Sequence, residues 1–204
     1  MLLAVSFIST TGFAADALPD YENPRVLSRG TETPHATMTV YPDAASAGAA
    51  QHREDSPFHR SLNGQWDYFW VPKPADVAAY FWKPDFALKG WTTIPVPANV
   101  ELQGHGLPIL ENIHYPYLKV GQKPTPEMAG KTPADNNPVS LYRRTFTVPA
   151  GWAGRRVHLV FDGADSFLRV WVNGKELGFN KDSRTPAEWD LTDVGKPGEN
   201  LLAD

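Results

Sequence analysis

The stretch that decides the fold is residues 166–179, which reads SFLRVWVNGKELGF. Its apolar residues alternate with polar ones on both sides of Asn173 and Gly174, as they do in half-buried strands. An Asn-Gly pair between two alternating runs is the strongest short-range signal for a tight β-hairpin. The stretch therefore predicts two neighbouring antiparallel strands.

Four further stretches continue this β pattern. In RRVHLVFDG (155–163) one face carries three apolar residues: Val157, Leu159 and Phe161. SLYRRTFTVP (140–149) alternates with Leu141, Arg143, Thr145 and Thr147 on one face and Tyr142, Arg144, Phe146 and Val148 on the other. RSLNGQWDYFW (60–70) has bulky residues at even positions, which are Leu62, Trp66, Tyr68 and Trp70. Its Asn-Gly pair is a turn signal just before the strand. GENLLAD (198–204) predicts the start of one more strand.

Prolines and glycines crowd the chain between Val71 and Asp135 and exclude long helices there. Short strands and long loops, with one or two helical turns at most, are what remains. Long ordered loops on a β scaffold are common places for ligands to bind. The sequence thus predicts an all-β sandwich of short antiparallel strands, of jelly-roll or related type, spanning residues 59–204.

The residues before this domain divide into two segments. Residues 1–17 begin with an apolar run and end in small residues, which predicts an export signal peptide and a periplasmic or secreted protein. Residues 18–58 are rich in Pro, Ala, Gly and charge and lack a sustained apolar period. We expect them to form an extended arm that becomes ordered only against other protein.

Composition excludes several classes of function. The 204 residues carry a formal charge of −4 without any Lys/Arg run, which argues against nucleic acid and anionic membrane surfaces as partners. Because there is no cysteine, thiolate metal sites, thiol nucleophiles and disulfides are all absent. The six histidines show no metal-ligand spacing, and no complete catalytic motif is present.

Two acidic groupings and the tryptophans are weaker candidates. Glu188 and Asp190 share one face of a predicted strand and could form an acid–base pair, although surface carboxylates are the commoner explanation. DGADS, around Asp162 and Asp165, lacks the further acidic ligands of a calcium loop and indicates a turn. The seven tryptophans suit a hydrophobic core first and sugar stacking second.

The stretch LPILENIHYPY (107–117) concentrates an amide, an imidazole and a phenol within four positions. Asn112, His114 and Tyr115 could bind a polar ligand or could simply close a loop. An amide both donates and accepts hydrogen bonds, which suits vicinal hydroxyl groups. The residues alone leave both interpretations open.

Six segments in order resemble one known family. ENPRV, RSLNGQW, VPANVELQGHGLPILENIHYP, SLYRRTFTVP, FDGADSFLRVWVNGKELGFNKDSRTPAEWDLT and GENLLA are similar to the N-terminal part of glycoside hydrolase family 2 β-galactosidases, from about Glu22 to Ala203. The resemblance implies a sugar-binding jelly roll and an arm that packs on other domains or subunits. It also implies that Asn112 reaches the galactose site of a neighbouring barrel domain and that Ile113 lines the same pocket.

The resemblance also implies what lies outside this chain. The family's two catalytic glutamates belong to the barrel, act by a retaining mechanism and have no counterpart here. The same holds for the magnesium ligands and most sodium ligands, so we expect no metal and no catalytic residue in this chain. The resemblance also implies that the whole enzyme is a homo-oligomer. The family's last strand continues beyond the position of Asp204, so we expect a truncated, inactive piece with an incomplete final strand.

Three alternatives remain at this stage. The first is a stand-alone carbohydrate-binding module, which needs an exposed aromatic platform. The second is a fragment that associates with a separate catalytic part through its arm. The third is another specificity within the family, such as β-glucuronidase or β-mannosidase.

Overall fold

A computed structural model of the chain describes residues 19–108, 118, 123, 125–128, 131 and 133–204. The described residues form nine strands, which are β1 (Ser28–Arg29), β2 (Gly64–Val71), β3 (Thr92–Val96), β4 (Val139–Val148), β5 (His158–Phe161), β6 (Leu168–Val172), β7 (Lys175–Asn180), β8 (Ala187–Asp190) and β9 (Gly198–Ala203). They also form one helix, α1 (Ala44–Ala49), and short 3₁₀ turns at Arg53–Asp55, Pro74–Asp76, Val100–Gln103, Pro126–Met128 and Ala150–Trp152. The prediction of an all-β fold is confirmed.

The hairpin predicted from residues 166–179 is present as β6 and β7. Asn173 and Gly174 form its turn with positive φ angles of 53° and 82°, the conformation that makes Asn-Gly the preferred pair there. The pairing register shifts between Val170 and Trp171, which marks a β-bulge in the hairpin.

The strands build two layers. Seven antiparallel strands form one sheet in the order β1-β7-β6-β9-β4-β2-β3, and β5 pairs with β8 in a second sheet. The strand latest in sequence, β9, lies inside the large sheet between β4 and β6. It pairs with β6 only at Trp171 and Val172, so Leu168–Val170 pair with β7 alone in the described residues. This two-layer arrangement agrees with the predicted sandwich.

One face of the large sheet, here called the inner face, packs against the small sheet. Buried side chains of β2, β6 and β9 meet those of β5 and β8 in one cluster, which comprises Trp66, Leu159, Leu168, Val170, Val172, Ala187, Trp189, Leu191 and Leu202. Tyr142 and Phe146 pack against it, as do Val157 and Phe161. The face assignments predicted from alternation in these strands are confirmed.

The opposite face, here called the outer face, has an apolar cover that the sequence does not predict. The loop between β2 and β3 folds over it and buries Phe81 against Leu141, Trp171 and Ala203. The rings of Trp82 and Trp171 stack at 4.9 Å with 10° between their planes. Both faces of the sheet are therefore covered where β4, β9 and β6 meet.

The described part of the arm lies against this same domain. Ser28 and Arg29 pair with Asn180 and Phe179, so β1 occupies the outer edge of β7. Three residues further on, the Glu32 amide donates to the Glu188 carbonyl of the small sheet at 2.8 Å. Trp189 donates its indole N–H to the Arg29 carbonyl at 3.3 Å. The arm thus connects one edge of the large sheet with one edge of the small sheet.

Charged side chains hold the arm at two further points. Arg156 contacts Glu32 of the arm and Asp190 of β8, each at 2.8 Å. Arg53, near the end of the arm, pairs with Asp162 at 2.7 Å. Within the described residues, no helix has the length and apolar character needed to cross a bilayer.

Candidate functional site

The predicted site residues Asn112 and Ile113 lie outside the described residues, together with Glu111, His114 and Tyr115. The structure does describe the chain up to Pro108, and again at Leu118, which is buried. Asn112 follows Gly106 by six residues and precedes Leu118 by six. The described residues that lead to Asn112 are therefore those of segment 97–108, which contacts neighbouring strands.

Segment 97–108 runs along the inner face of β2. It leaves β3 next to Gly64, where β2 begins, and makes one 3₁₀ turn that ends at Gly104, which has a positive φ of 88°. His105 then contacts the ring of Tyr68 at a centroid distance of 4.6 Å. A Cβ at Gly106 would lie 3.5 Å from the Trp70 indole nitrogen. The segment thus follows β2 towards its C-terminal end.

Two tyrosines and a serine support this segment. Tyr68 is fully buried, and its hydroxyl lies 2.9 Å from the Ser140 hydroxyl of β4. The ring of Tyr142 lies 4.9 Å from that of Tyr68, and the two residues face each other across the β2–β4 pair. We call Tyr68, His105, Ser140 and Tyr142 the anchor cluster. This cluster fixes the position of segment 97–108 at the end of the sheet where β4 begins.

The two phenols of the anchor cluster are neutral at neutral pH. Burial raises the pKa of Tyr68, an effect that its hydrogen bond with Ser140 partly offsets. Burial likewise raises the pKa of Tyr142, and the nearby Tyr68 and Asp204 raise it further. Both phenols therefore stay protonated and act as neutral hydrogen-bonding groups. The two phenols can position a loop but cannot supply a general base.

The C-terminal end of β9 joins the same region. Asp204 exchanges both backbone hydrogen bonds with Tyr142, at 2.9 and 3.1 Å. Burial raises the pKa of the Asp204 carboxyl group to about 8. The ends of β2 and β9 and the beginning of β4 therefore meet beside the segment that leads to Asn112.

The weaker acidic candidates bind neighbouring side chains near the surface. Glu188 lies 2.8 Å from His158 and 3.3 Å from His35, while Asp190 binds Arg156 and Thr192. Both carboxylates already bind neighbouring side chains, so an acid–base pair receives no support. Asp165 accepts a hydrogen bond from Ser183 at 2.8 Å, as in an ordinary turn. Among the residues that the structure describes, no group of three or more His, Asp or Glu residues forms a metal site.

The tryptophans serve mainly as core. Trp66, Trp171 and Trp189 are buried, and the other four are half-buried. None of the seven is an exposed platform of the kind that a stand-alone sugar-binding module requires.

Sequence reasoning missed the anchor cluster. The even-numbered alternation in β2 assigns Tyr68 to the inner face but cannot show that His105, 37 positions later, covers it.

The comparison with known families now decides the relationship. Residues 59–204 match the model described as "Glycosyl hydrolases family 2, sugar binding domain". The chain belongs to glycosyl hydrolase family 2. The matched residues begin at the same position as the predicted domain and include the anchor cluster and all of segment 97–108.

Relatives of known function share most of this chain. A β-galactosidase of Priestia megaterium is 33% identical over 190 residues, which are 93% of this chain and 18% of that enzyme. A β-galactosidase of Vibrio cholerae is 37% identical over 184 residues, which are 90% of this chain and 17% of that enzyme. The chain thus spans less than a fifth of the length of these relatives.

Among solved structures, a β-glucuronidase of Bifidobacterium dentium, in complex with coumarin-3-O-glucuronide, is 26% identical with a TM-score of 0.47. The match covers 70% of this chain and 19% of that one.

Proposed function

We propose that this chain is the N-terminal sugar-binding portion of a β-galactosidase. The observation that carries the proposal is the 33% to 37% identity, over nine-tenths of the chain or more, to enzymes of that name. The family match over residues 59–204 supports it independently. The complete enzyme would hydrolyse terminal non-reducing β-D-galactose residues.

In this proposal Asn112 and Ile113 contact the galactose. The Asn112 amide donates to one hydroxyl and accepts from another, which suits a vicinal pair. The anchor cluster supports segment 97–108, which precedes them in the chain, through the contact of His105 with Tyr68. The phenols of the cluster stay neutral, so they take no part in proton transfer.

The remaining chemistry belongs to the rest of the enzyme. Two glutamates of a catalytic barrel would act as acid/base and nucleophile in a retaining mechanism. Magnesium and sodium would bind to the complete enzyme, which we propose is a homo-oligomer exported to the periplasm or secreted. Nucleic acid and membranes are not among its proposed partners.

The test compares this chain with the complete open reading frame from the same gene. We expect the 204-residue chain to leave a nitrophenyl β-galactoside intact and the complete protein to hydrolyse it. In the complete protein, Asn112→Ala should lower kcat/KM roughly tenfold, the usual consequence of losing one or two hydrogen bonds.

Gln103→Ala is the control, because Gln103 is an exposed amide in the same loop. A complete protein that cleaves β-glucuronides in preference to β-galactosides would overturn the proposed specificity. Hydrolysis of the galactoside by the 204-residue chain would overturn the proposal that catalysis belongs to the rest of the enzyme.

A further inference from the structure

A cleft opens in the large sheet where β2 and β4 separate. The two strands pair only between Asp67–Val71 and Val139–Arg143. Beyond Arg143, β4 continues beside β9, while β2 stays with β3. Arg144 crosses the gap by donating to the Leu62 carbonyl, with its guanidinium 5.8 Å from the Trp66 ring centroid.

This cleft has a volume of about 280 Å³ and a mostly polar lining. Asp67 faces both Arg143 and Thr93 across the strand pairs, so these three side chains share the outer face. Gln65 precedes Asp67 by two residues in β2, and Thr145 follows Arg143 by two residues in β4. Both therefore lie on that same face. The volume lies just below the usual range for small-molecule sites, so the cleft has room for one small unit.

Arg143 is the unusual member of the cleft. Its exposed fraction is only 4%, and one guanidinium nitrogen, Nη1, donates to the Phe86 carbonyl at 3.1 Å. In the described part of the chain, the buried Nε–H has no acceptor. Buried donors of this kind normally have a hydrogen-bond partner, so Arg143 requires an acceptor that the described residues do not provide.

The neighbouring carboxylate of Asp67 restricts the kind of ligand that can supply this acceptor. Asp67 stabilises the Arg143 cation by its charge, but neither a hydrogen bond nor an ion pair joins the two side chains in the described residues. The Asp67 carboxylate needs a hydrogen-bond donor, which an anionic group cannot supply, and a cationic ligand would be repelled by the two arginines. A neutral hydroxyl group can accept from Arg143 and donate to Asp67 at the same time.

We propose that this cleft is a second sugar-binding site, which takes one neutral pyranose unit. Arg143 and Asp67 bind adjacent hydroxyl groups, and Thr93, Thr145 and Gln65 complete the hydrogen bonds. The site lies on the outer face of the sheet, whereas segment 97–108 and the anchor cluster lie on the inner face. The inference goes beyond the galactose contact proposed for Asn112 and does not depend on it.

The experiment titrates the 204-residue chain with galactose and, separately, with galacturonate, the C6 carboxylate analogue of galactose. Calorimetry and amide NMR shifts measure the binding. We expect saturable millimolar binding of galactose and at least tenfold weaker binding of galacturonate. Asp67→Asn and Thr93→Val should each raise the Kd for galactose at least fivefold. Asp67→Asn should also narrow the difference between the two sugars, because it removes the repelling charge.

Thr147→Val is the matched control, since Thr147 lies on the same face of β4 outside this cleft. Both cleft substitutions are at positions that are not buried, so they leave the core intact. Binding that Asn112→Ala abolishes and the cleft variants preserve would assign the sugar to the loop and overturn this inference alone. Absence of saturable galactose binding in the wild-type chain would overturn it as well.

Discussion

At the scale of single residues, Asn200 uses its whole side-chain amide in hydrogen bonds. It is 2% exposed, accepts from the Lys196 amide and the Asn173 side chain, and donates to the carbonyls of Lys196 and Gly198. Every donor and acceptor of the amide is therefore engaged. The network holds the loop before β9 against the hairpin turn.

We expect Asn200→Ala to destabilise the domain by about 2–4 kcal/mol, because it leaves several buried polar groups unpaired. Urea unfolding followed by tryptophan fluorescence measures the change. Asn99→Ala is the matched control, since Asn99 is exposed and its side chain makes no capping hydrogen bond. The control should change stability by less than about 0.5 kcal/mol. Equal effects of the two substitutions would show that the network contributes nothing.

Arg143 shows where residue-level prediction stops. The alternating pattern of β4 assigns it to the face opposite Tyr142 and Phe146, and this is confirmed. The same pattern gives no sign that the chain around Phe86 folds over that face and buries the guanidinium. Burial of a polar residue depends on which distant segment covers it, and strand periodicity carries no such information.

At the scale of elements, the contact between the arm and β7 depends on two glycines. A Cβ at Gly178 would lie 1.9 Å from the Arg29 carbonyl oxygen, and one at Gly30 would lie 2.0 Å from the Leu177 carbonyl oxygen. Both have positive φ angles, of 143° and 69°. The two backbones approach each other this closely only because neither residue has a side chain.

Gly178→Ala should therefore displace β1 from β7. We expect faster amide hydrogen exchange at residues 28–32 and 179–181 and a loss of more than about 1 kcal/mol in the free energy of unfolding. Gly48→Ala is the control, because a Cβ at Gly48 meets nothing within 4 Å and the residue lies in helix α1. Unchanged exchange at residues 28–32 in Gly178→Ala would contradict the close approach.

The elements differ in how far the sequence predicts them. The hairpin β6–β7 and the strands β2, β4, β5 and β9 follow from alternation and turn residues, because each buries one face within its own stretch. Strand β1 is only two residues long and has no periodicity to detect. Its existence depends on pairing with a strand some 150 residues later, so residues 18–58 indicate only an extended arm. Helix α1 also lies within that segment.

At the scale of the whole molecule, Asp190 couples the stability of the fold to pH. The Thr192 hydroxyl, the Thr192 amide and Arg156 together lower the pKa of Asp190 to about 2. A carboxyl group that is more acidic in the folded state stabilises the fold above its unfolded pKa near 3.8, and that stabilisation is lost as pH falls towards 2. The side chain is 30% exposed, so screening by water reduces the contribution to about 1 kcal/mol.

Unfolding free energies of the wild-type chain and of Asp190→Asn, measured between pH 6 and pH 3, test this coupling. Asparagine does not titrate, so the difference between the two proteins should shrink by several tenths of a kcal/mol as pH falls over this range. Asp193→Asn provides a neighbouring exposed carboxylate for comparison. A difference between wild-type and Asp190→Asn that stays constant with pH would exclude Asp190 as the titrating group.

The position of β9 in the middle of the large sheet has a consequence for the order in which the protein is made. During synthesis β4 and β6 leave the ribosome before β9, and each then has an open edge where β9 will pair. The sheet cannot close until residues 198–203 have emerged, so the domain completes its folding late and through contacts between distant parts of the chain. Until then, the nascent chain presents two unpaired strand edges on which a chaperone can act.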